Sequence, residues 1–194
     1  GGAVKIGGQD IRGMSLEALN NEISYVAQEQ FLFNISLREN IRLGRLDATD
    51  EEVMAAAEKA QCGEFLARLE NGICTLAGVL QNGPGQGDAL ARAILKNAPI
   101  VVLDEATAFM DPENEEKMNE AIAQVIRGKT VIVIAHRLHS IVNTDRICVL
   151  QSGSLAAVGT HGELLESCPE YQRLWQAAEG STKWKVSTAK GDEN

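Results

Sequence analysis

The sequence has few aromatic residues, no long apolar run and no excess of positive charge. Phe, Tyr and Trp together make up 4% of the 194 residues. Lys and Arg number 18 against 27 Asp and Glu, a formal net charge of −9. That sign argues against a nucleic-acid surface or a basic face for anionic lipid. No apolar stretch approaches the roughly 20 residues that cross a bilayer as a helix, and no signal peptide opens the sequence. A membrane role would have to come through another segment or a partner. Cys62, Cys74, Cys148 and Cys168 are scattered, with neither a C-x-x-C pair nor a histidine cluster near them. Reduced thiols of a cytosolic protein are therefore expected, rather than disulfides or a zinc site. No internal repeat occurs.

What is present fits an ordinary soluble class, with 44% hydrophobic and 23% charged residues. The length allows one domain with a sizeable core and is short for two. The most informative stretch is residues 100–111, where Ile100-Val101-Val102-Leu103 leads into Asp104 and Glu105. Four branched apolar residues behind Pro99 predict a strand buried on both faces of a parallel sheet. Such a strand delivers two adjacent carboxylates at its carboxyl end, where open α/β sheets place ligands. Carboxylates taken out of water need a metal, a proton or a partner. An Asp holding Mg²⁺ beside a Glu polarising water is an arrangement that nucleotide hydrolysis uses. Taken alone, the pair reads equally well as a solvated acidic turn. A second apolar strand, Val131-Ile132-Val133-Ile134, ends in Ala135-His136-Arg137-Leu138.

Leu103-Asp104-Glu105-Ala106-Thr107, Asp111 six residues beyond that Glu, and Ala135-His136-Arg137 together resemble three segments of ATP-binding cassette (ABC) proteins. These are the Walker B, D-loop and switch-histidine segments, and the match is close to the exporter type. The resemblance runs from residue 2 to residue 177. It implies an α/β fold, the P-loop NTPase-like parallel-sheet core of an ABC ATPase with a helical subdomain over about residues 49–95. Residues 1–179 would be a partial ATP-binding domain and 180–194 a polar, frayed tail. The G-x-x-x-x-G-K-[ST] loop, whose amides and Lys cradle phosphates, does not occur in the 194 residues. Nor does the family's upstream adenine-stacking aromatic. The expectation is a domain read from just after its P-loop strand and helix.

Taken in order, residues 2–11 resemble the strand-turn-strand that follows the P-loop helix in exporters. Ser15 opens a short helix, Ile23-Ser24-Tyr25-Val26 a strand, and Gln28 falls at the family's Q-loop glutamine. Phe31 and Phe33, two of four Phe, suit either core or a partner-facing surface. Ser36 with Glu39, and Thr49 with Glu52, read as capping boxes. Glu39-Asn40-Ile41 is a further exporter-like cue. Val53, Ala57 and Ala60 fall on one helical face. Pro112 is suited to the first position of a helix that Asp111 caps, with Met118, Ile122, Val125 and Ile126 on one face. A hairpin is expected over 146–159, then a helix capped at Thr160 and another opening at Pro169 with Tyr171, Leu174 and Trp175 on its apolar side.

One stretch departs from the family. Aligned back from Ala89-Leu90-Ala91-Arg92-Ala93, Leu80-Gln81-Asn82-Gly83-Pro84 stands where exporters carry Leu-Ser-Gly-Gly-Gln. Leu80 and Gly83 are kept. Gln81 replaces the serine whose hydroxyl would donate to the γ-phosphate, and Pro84 removes an amide donor.

The resemblance implies ATP with Mg²⁺. Asp104 would hold the metal, Glu105 would be general base, His136 the γ-phosphate sensor, and Gln28 a contact to metal and attacking water. Asp111 would communicate across a head-to-tail dimer of two such domains, and Leu80, Gln81 and Gly83 would face the partner's nucleotide. The other implied partner is a transmembrane permease domain, upstream on the same polypeptide, which places this domain at the cytoplasmic face of the plasma (inner) membrane. No nucleic-acid partner is expected: neither a coiled-coil insertion nor a basic arm of the DNA- or ribosome-acting cassettes occurs. The alternative is a degenerate, non-catalytic cassette serving as a regulatory or dimerisation partner. The altered signature and missing P-loop motif favour it; the intact Asp104, Glu105 and His136 oppose it.

Overall fold

The computed structural model describes residues 2–27, 31–80, 87–104, 112–135 and 137–187, with backbone alone at 112–118 and 180–187. It divides into two compact units, Gly1–Ile134 and Ala135–Asn194, where length alone pointed to one core.

The first unit opens with a tight hairpin, β1 (Lys5–Ile6) against β2 (Gln9–Asp10). Lys5 pairs with Asp10 and Ile6 with Gln9, leaving Gly7 and Gly8 as the turn, at φ of 56° and 84°. Two consecutive positive φ values match the strands' twist, and glycine adopts them without strain. Ser15 caps α1 (Leu16–Glu22), its hydroxyl accepting from the Ala18 N–H at 3.1 Å, and α1 runs directly into β3 (Ile23–Val26).

Two further helices test the capping patterns. At α2 (Leu37–Arg42) the Ser36 hydroxyl accepts the Glu39 N–H, but the reciprocal half of the expected box is missing. Glu39 turns its carboxylate to Arg42 and Arg38 instead. At α3 (Asp50–Lys59) the box is complete: the Thr49 hydroxyl accepts from Glu52 N–H, and the Glu52 carboxylate from Thr49 N–H. Thr49→Ala is expected to cost about 1 kcal/mol, seen as a lower urea midpoint at unchanged slope. An unmoved midpoint would show the cap to be idle.

After α4 (Gly63–Ala67), α5 (Gly87–Lys96) packs against α2 and α3. Small side chains on both sides (Ala56, Ala57, Ala89, Ala93) bring α3 and α5 together around Val53 and Leu90, all buried in one core. Gly44 permits a similar approach, since a Cβ there would meet the Arg92 carbonyl oxygen at 2.5 Å.

The sheet follows: β4 (Ile100–Asp104), α6 (Pro112–Ile126) and β5 (Thr130–Ile134). The three strands run parallel in the order β3-β4-β5, so the acidic strand is central. Val101 and Leu103 are buried, while Ile100, Val102 and Asp104 are half-buried. The expected burial on both faces is therefore corrected to one covered face. An aliphatic run is permissive for two covered faces without requiring them. On β5, Ile132, Val133 and Ile134 are exposed. On α6 the expected face packs on the core: Val125 is fully buried, Ile122 and Ile126 lie against the same cluster, and Ala121 joins them.

In the second unit, β6 (Ile147–Gln151) and β7 (Ser154–Gly159) form the expected hairpin, with Ser152 and Gly153 at positive φ in its turn. Thr160 and Glu163 form a complete capping box on α7 (His161–Ser167), and α8 (Pro169–Ser187) follows. Ile147, Val149, Leu164, Cys168 and Tyr171 make this unit's core. Leu174 is exposed rather than core. α8 continues past Gly180 to Ser187, so the start of the segment read as frayed is helical. Polar composition says what a helix can bury, not whether its backbone closes.

Candidate functional site

The three parallel strands end in step. Val26 stands opposite Leu103 and Asp104 opposite Ile134, so β3, β4 and β5 finish along one edge. That is the carboxyl edge at which α/β sheets place ligands. Asp104, the last residue of the central strand, has one strong partner: the Tyr25 hydroxyl donates to its Oδ2 at 2.6 Å. Register explains the reach. Tyr25 pairs with Val102, so its ring and Asp104 share a face one diagonal step apart, a span aromatic side chains cover. The bond to Asp104, then burial, then the carboxylate's charge hold the Tyr25 phenol above its ordinary range. It stays a donor across neutral pH.

Among the described residues Asp104 Oδ1 has no hydrogen-bond partner, and no three His, Cys, Asp or Glu gather as a metal cage. Mg²⁺ does not need such a cage; it is held through one or two carboxylates with phosphate oxygens and water. Asp104 fits that mode, offering one carboxylate at this edge. The other sequence candidate in the described residues, Leu80, is half-buried at the end of a 3-10 turn (Ala77–Val79), its N–H donating to the Ala77 carbonyl at 3.1 Å. Gln28, Gln81, Gly83, Glu105, Asp111 and His136 lie outside the described residues.

A second arrangement was not legible as such in the sequence. Asn40 is fully buried and its amide pins residues 31–36. Its Nδ2 donates to the carbonyls of Phe33, Ile35 and Ser36 at 2.9, 3.3 and 3.1 Å, and its Oδ1 accepts from Phe33 N–H at 2.9 Å. Arg92 of α5 adds Nε to the Asn40 carbonyl at 2.8 Å, Nη2 to Asn40 Oδ1 and Nη1 to the Phe31 carbonyl, both at 3.2 Å. The result displays Phe31 and Phe33 outward, 69% and 51% exposed, their rings edge to face at 5.0 Å. Leu76 and Val79 are exposed nearby: Ala77 N–H donates to the Ile35 carbonyl, and Ser36 bridges Leu76. Phe31 and Phe33 are thus surface, not core. The available signal was an Asn set between Leu37 and Ile41 on an otherwise apolar helical face.

Asp88 was also missed as a structural feature. It is buried in the first turn of α5, with Arg92 Nη2 2.5 Å from Oδ2, yet neither oxygen accepts a well-aligned hydrogen bond. Burial pushes its carboxyl up to about 6, with Arg92 pulling the other way. Burial, and then the charge of Asp88, push the Cys62 thiol up to about 12, so Cys62 is an inert core group.

A parallel sheet with helices between its strands, and an acidic residue ending the central strand, defines an α/β protein. Residues 1–108 match the family described as ABC transporter, and the chain belongs to that family. It is 43% identical over 183 residues to the mycobactin import ATP-binding/permease protein IrtA of Mycobacterium tuberculosis, covering 93% of this chain and 21% of that one. It is 44% identical over 180 residues to the beta-(1→2)glucan export ATP-binding/permease protein NdvA of Nitrobacter winogradskyi, covering 91% and 30%. An ATP-dependent lipid A-core flippase of Legionella pneumophila is 42% identical, covering 90% and 30%. Among solved structures, a bacterial Atm1-family ABC exporter with ATP bound superimposes with a TM-score of 0.83 at 37% identity, covering 91% of this chain and 32% of that one. The fold is that of the exporter's ATPase. The chain spans a fifth to a third of the length of these relatives.

Proposed function

We propose that this chain is the ATP-hydrolysing part of an ABC transporter of the exporter type, coupling ATP turnover to movement of a permease domain. The observation that carries the reading is Asp104, held at the carboxyl end of the central strand within the segment that matches the family. Asp104 would hold Mg²⁺, which when bound neutralises phosphate charge. Glu105 follows it in sequence and is assigned the general base. His136 is assigned the γ-phosphate contact and Gln28 the contact to metal and attacking water. Asp111 is assigned to signalling across a head-to-tail dimer, and Leu80, Gln81 and Gly83 to the face turned to the partner's nucleotide. Residues 1–179 act as one partial ATP-binding domain, with 49–95 as its helical subdomain.

The exposed group Phe31, Phe33, Leu76 and Val79 is the surface on which a permease domain would rest, at the cytoplasmic face of the membrane. Relatives named as ATP-binding/permease proteins support a fused permease. Those names cover import and export at nearly equal identity to this chain, which supports cargo selection outside the shared segment.

Without a G-x-x-x-x-G-K-[ST] loop in its 194 residues, the chain alone lacks the main phosphate cradle. Its affinity for MgATP by calorimetry is expected to be about millimolar or weaker, with negligible hydrolysis. A micromolar affinity would count against this account. A second reading, a non-catalytic cassette that lends an interface to an active partner, is favoured by Leu80-Gln81-Asn82-Gly83-Pro84 in the signature position. An immunoblot of native membranes with an antibody to this chain separates the two. A membrane-bound band far heavier than 20.9 kDa supports the fused transporter. A soluble band at that mass gives the lead to the regulatory reading.

A further inference from the structure

Asp104 ends a strand, and its half-buried carboxylate would sweep through several rotamers if nothing held it. An ion binding there would have to order it first. Tyr25 does that ordering in advance. Its hydroxyl bonds Oδ2 at 2.6 Å, and its ring, 56% exposed, contributes little to the core. The bond is made from β3 onto β4, two strands locked by four parallel pairings. The hydroxyl therefore approaches from a fixed direction. Among the described residues the other oxygen, Oδ1, is unpartnered at the carboxyl edge of the sheet.

We propose that Tyr25 is a positioning residue for a divalent cation, fixing Oδ2 of Asp104 so that Oδ1 is presented to the ion. The proposal rests on the reading of Asp104 as the cation's carboxylate. A donor on one oxygen has two opposed effects. It draws charge off the carboxylate, which weakens attraction for a cation, and it fixes orientation, which strengthens it. Because ion and hydroxyl use different oxygens, they do not compete for one lone pair, and orientation wins.

The test titrates Mn²⁺ alone into the ¹⁵N-labelled 194-residue chain, following paramagnetic broadening of the Leu103 and Val133 amides. This local readout separates Asp104 from the many other surface carboxylates. Wild type should broaden there. D104N should not. Y25F, which keeps the ring and loses only the hydroxyl, should need about tenfold more Mn²⁺, the usual loss when a group supporting a metal ligand is removed. Undisturbed dispersion elsewhere in its spectrum confirms the fold. A merely structural bond would lower the urea midpoint of Y25F and leave its Mn²⁺ response at the wild-type level. That result, or tighter binding by Y25F, overturns the proposal while Asp104 stands as ligand, provided D104N is silent. A D104N variant that broadens like wild type overturns the reading of Asp104 together with the proposal.

Discussion

Asn40→Ala should destabilise the first unit by about 2 kcal/mol, because four side-chain bonds to the loop backbone go at once and the Phe33 N–H loses its acceptor. The Asn40 amide serves the N–H and carbonyl of Phe33 and the carbonyls of Ile35 and Ser36. The three carbonyls keep a backbone donor each, the N–H groups of Ile35, Ala77 and Asn40, so the largest part of the loss is the Phe33 N–H, an unpaired donor costing roughly 1–3 kcal/mol. Some of that loss will be recovered by water entering the loop. Asn40→Asp isolates the cause. It preserves shape and volume, but a carboxylate has no N–H to give, and its second oxygen would face three carbonyl oxygens. Attraction to Arg92, 3.2 Å from Oδ1, offsets only part of this. Both variants should therefore unfold at clearly lower urea, and protease should cut faster within residues 31–36. An Asn40→Asp protein within about 0.5 kcal/mol of wild type, the range of an ordinary surface change, would show that the amide is not what holds the loop. The same pin displays Phe31 and Phe33, so both variants should also loosen the proposed contact with a permease domain.

The parts of this chain that were readable in sequence are those set by neighbours along the chain. The hairpin turn at Gly7-Gly8 and the boxes at Thr49 and Thr160 depend on residues at most three apart, and all form. Asp104 could be placed at a strand's end because an aliphatic run and an acidic stop suffice to mark one. The half-formed box at Ser36 shows where local reading fails. Glu39 has the right spacing, but Arg38 and Arg42 offer its carboxylate charged partners, which outcompete a neutral N–H. Burial on one face of β4 rather than two follows from what other elements cover, which a run of Ile and Val cannot encode. The Tyr25–Asp104 bond joins residues 79 apart in the chain. It becomes visible only once β3 and β4 are paired in register. For Glu105, His136 and Gln28 the sequence resemblance remains the sole basis for their roles.

Asp88 should make the first unit less stable as pH rises from about 4 to about 6.5. Burial takes its carboxyl from the ordinary 3.8 up to about 6 in the folded chain. Between those values the folded state keeps a proton that the unfolded chain has released, so stability falls with increasing pH. The contribution is fully present below the unfolded value, is lost as pH passes through the folded one, and is flat above. The gap corresponds to about 3 kcal/mol. Carboxylates such as Asp50, held low by its bond to Arg42, and Glu52, held low by the Thr49 N–H, act in the opposite sense. They lose their contribution as pH drops below about 4. Asp88→Asn isolates the buried group. The variant cannot carry the charge, and Arg92 keeps its bonds to Asn40 and Phe31. Urea unfolding of both proteins should give a difference near zero at pH 4, widening in favour of Asp88→Asn to about 2–3 kcal/mol by pH 7. It should then hold level to pH 8. A constant difference over that range would mean that Asp88 titrates alike in the folded and unfolded chain, with Arg92 fully compensating its burial. A difference that widens in favour of wild type would mean that the pair with Arg92 outweighs desolvation, the reverse of the balance this geometry implies.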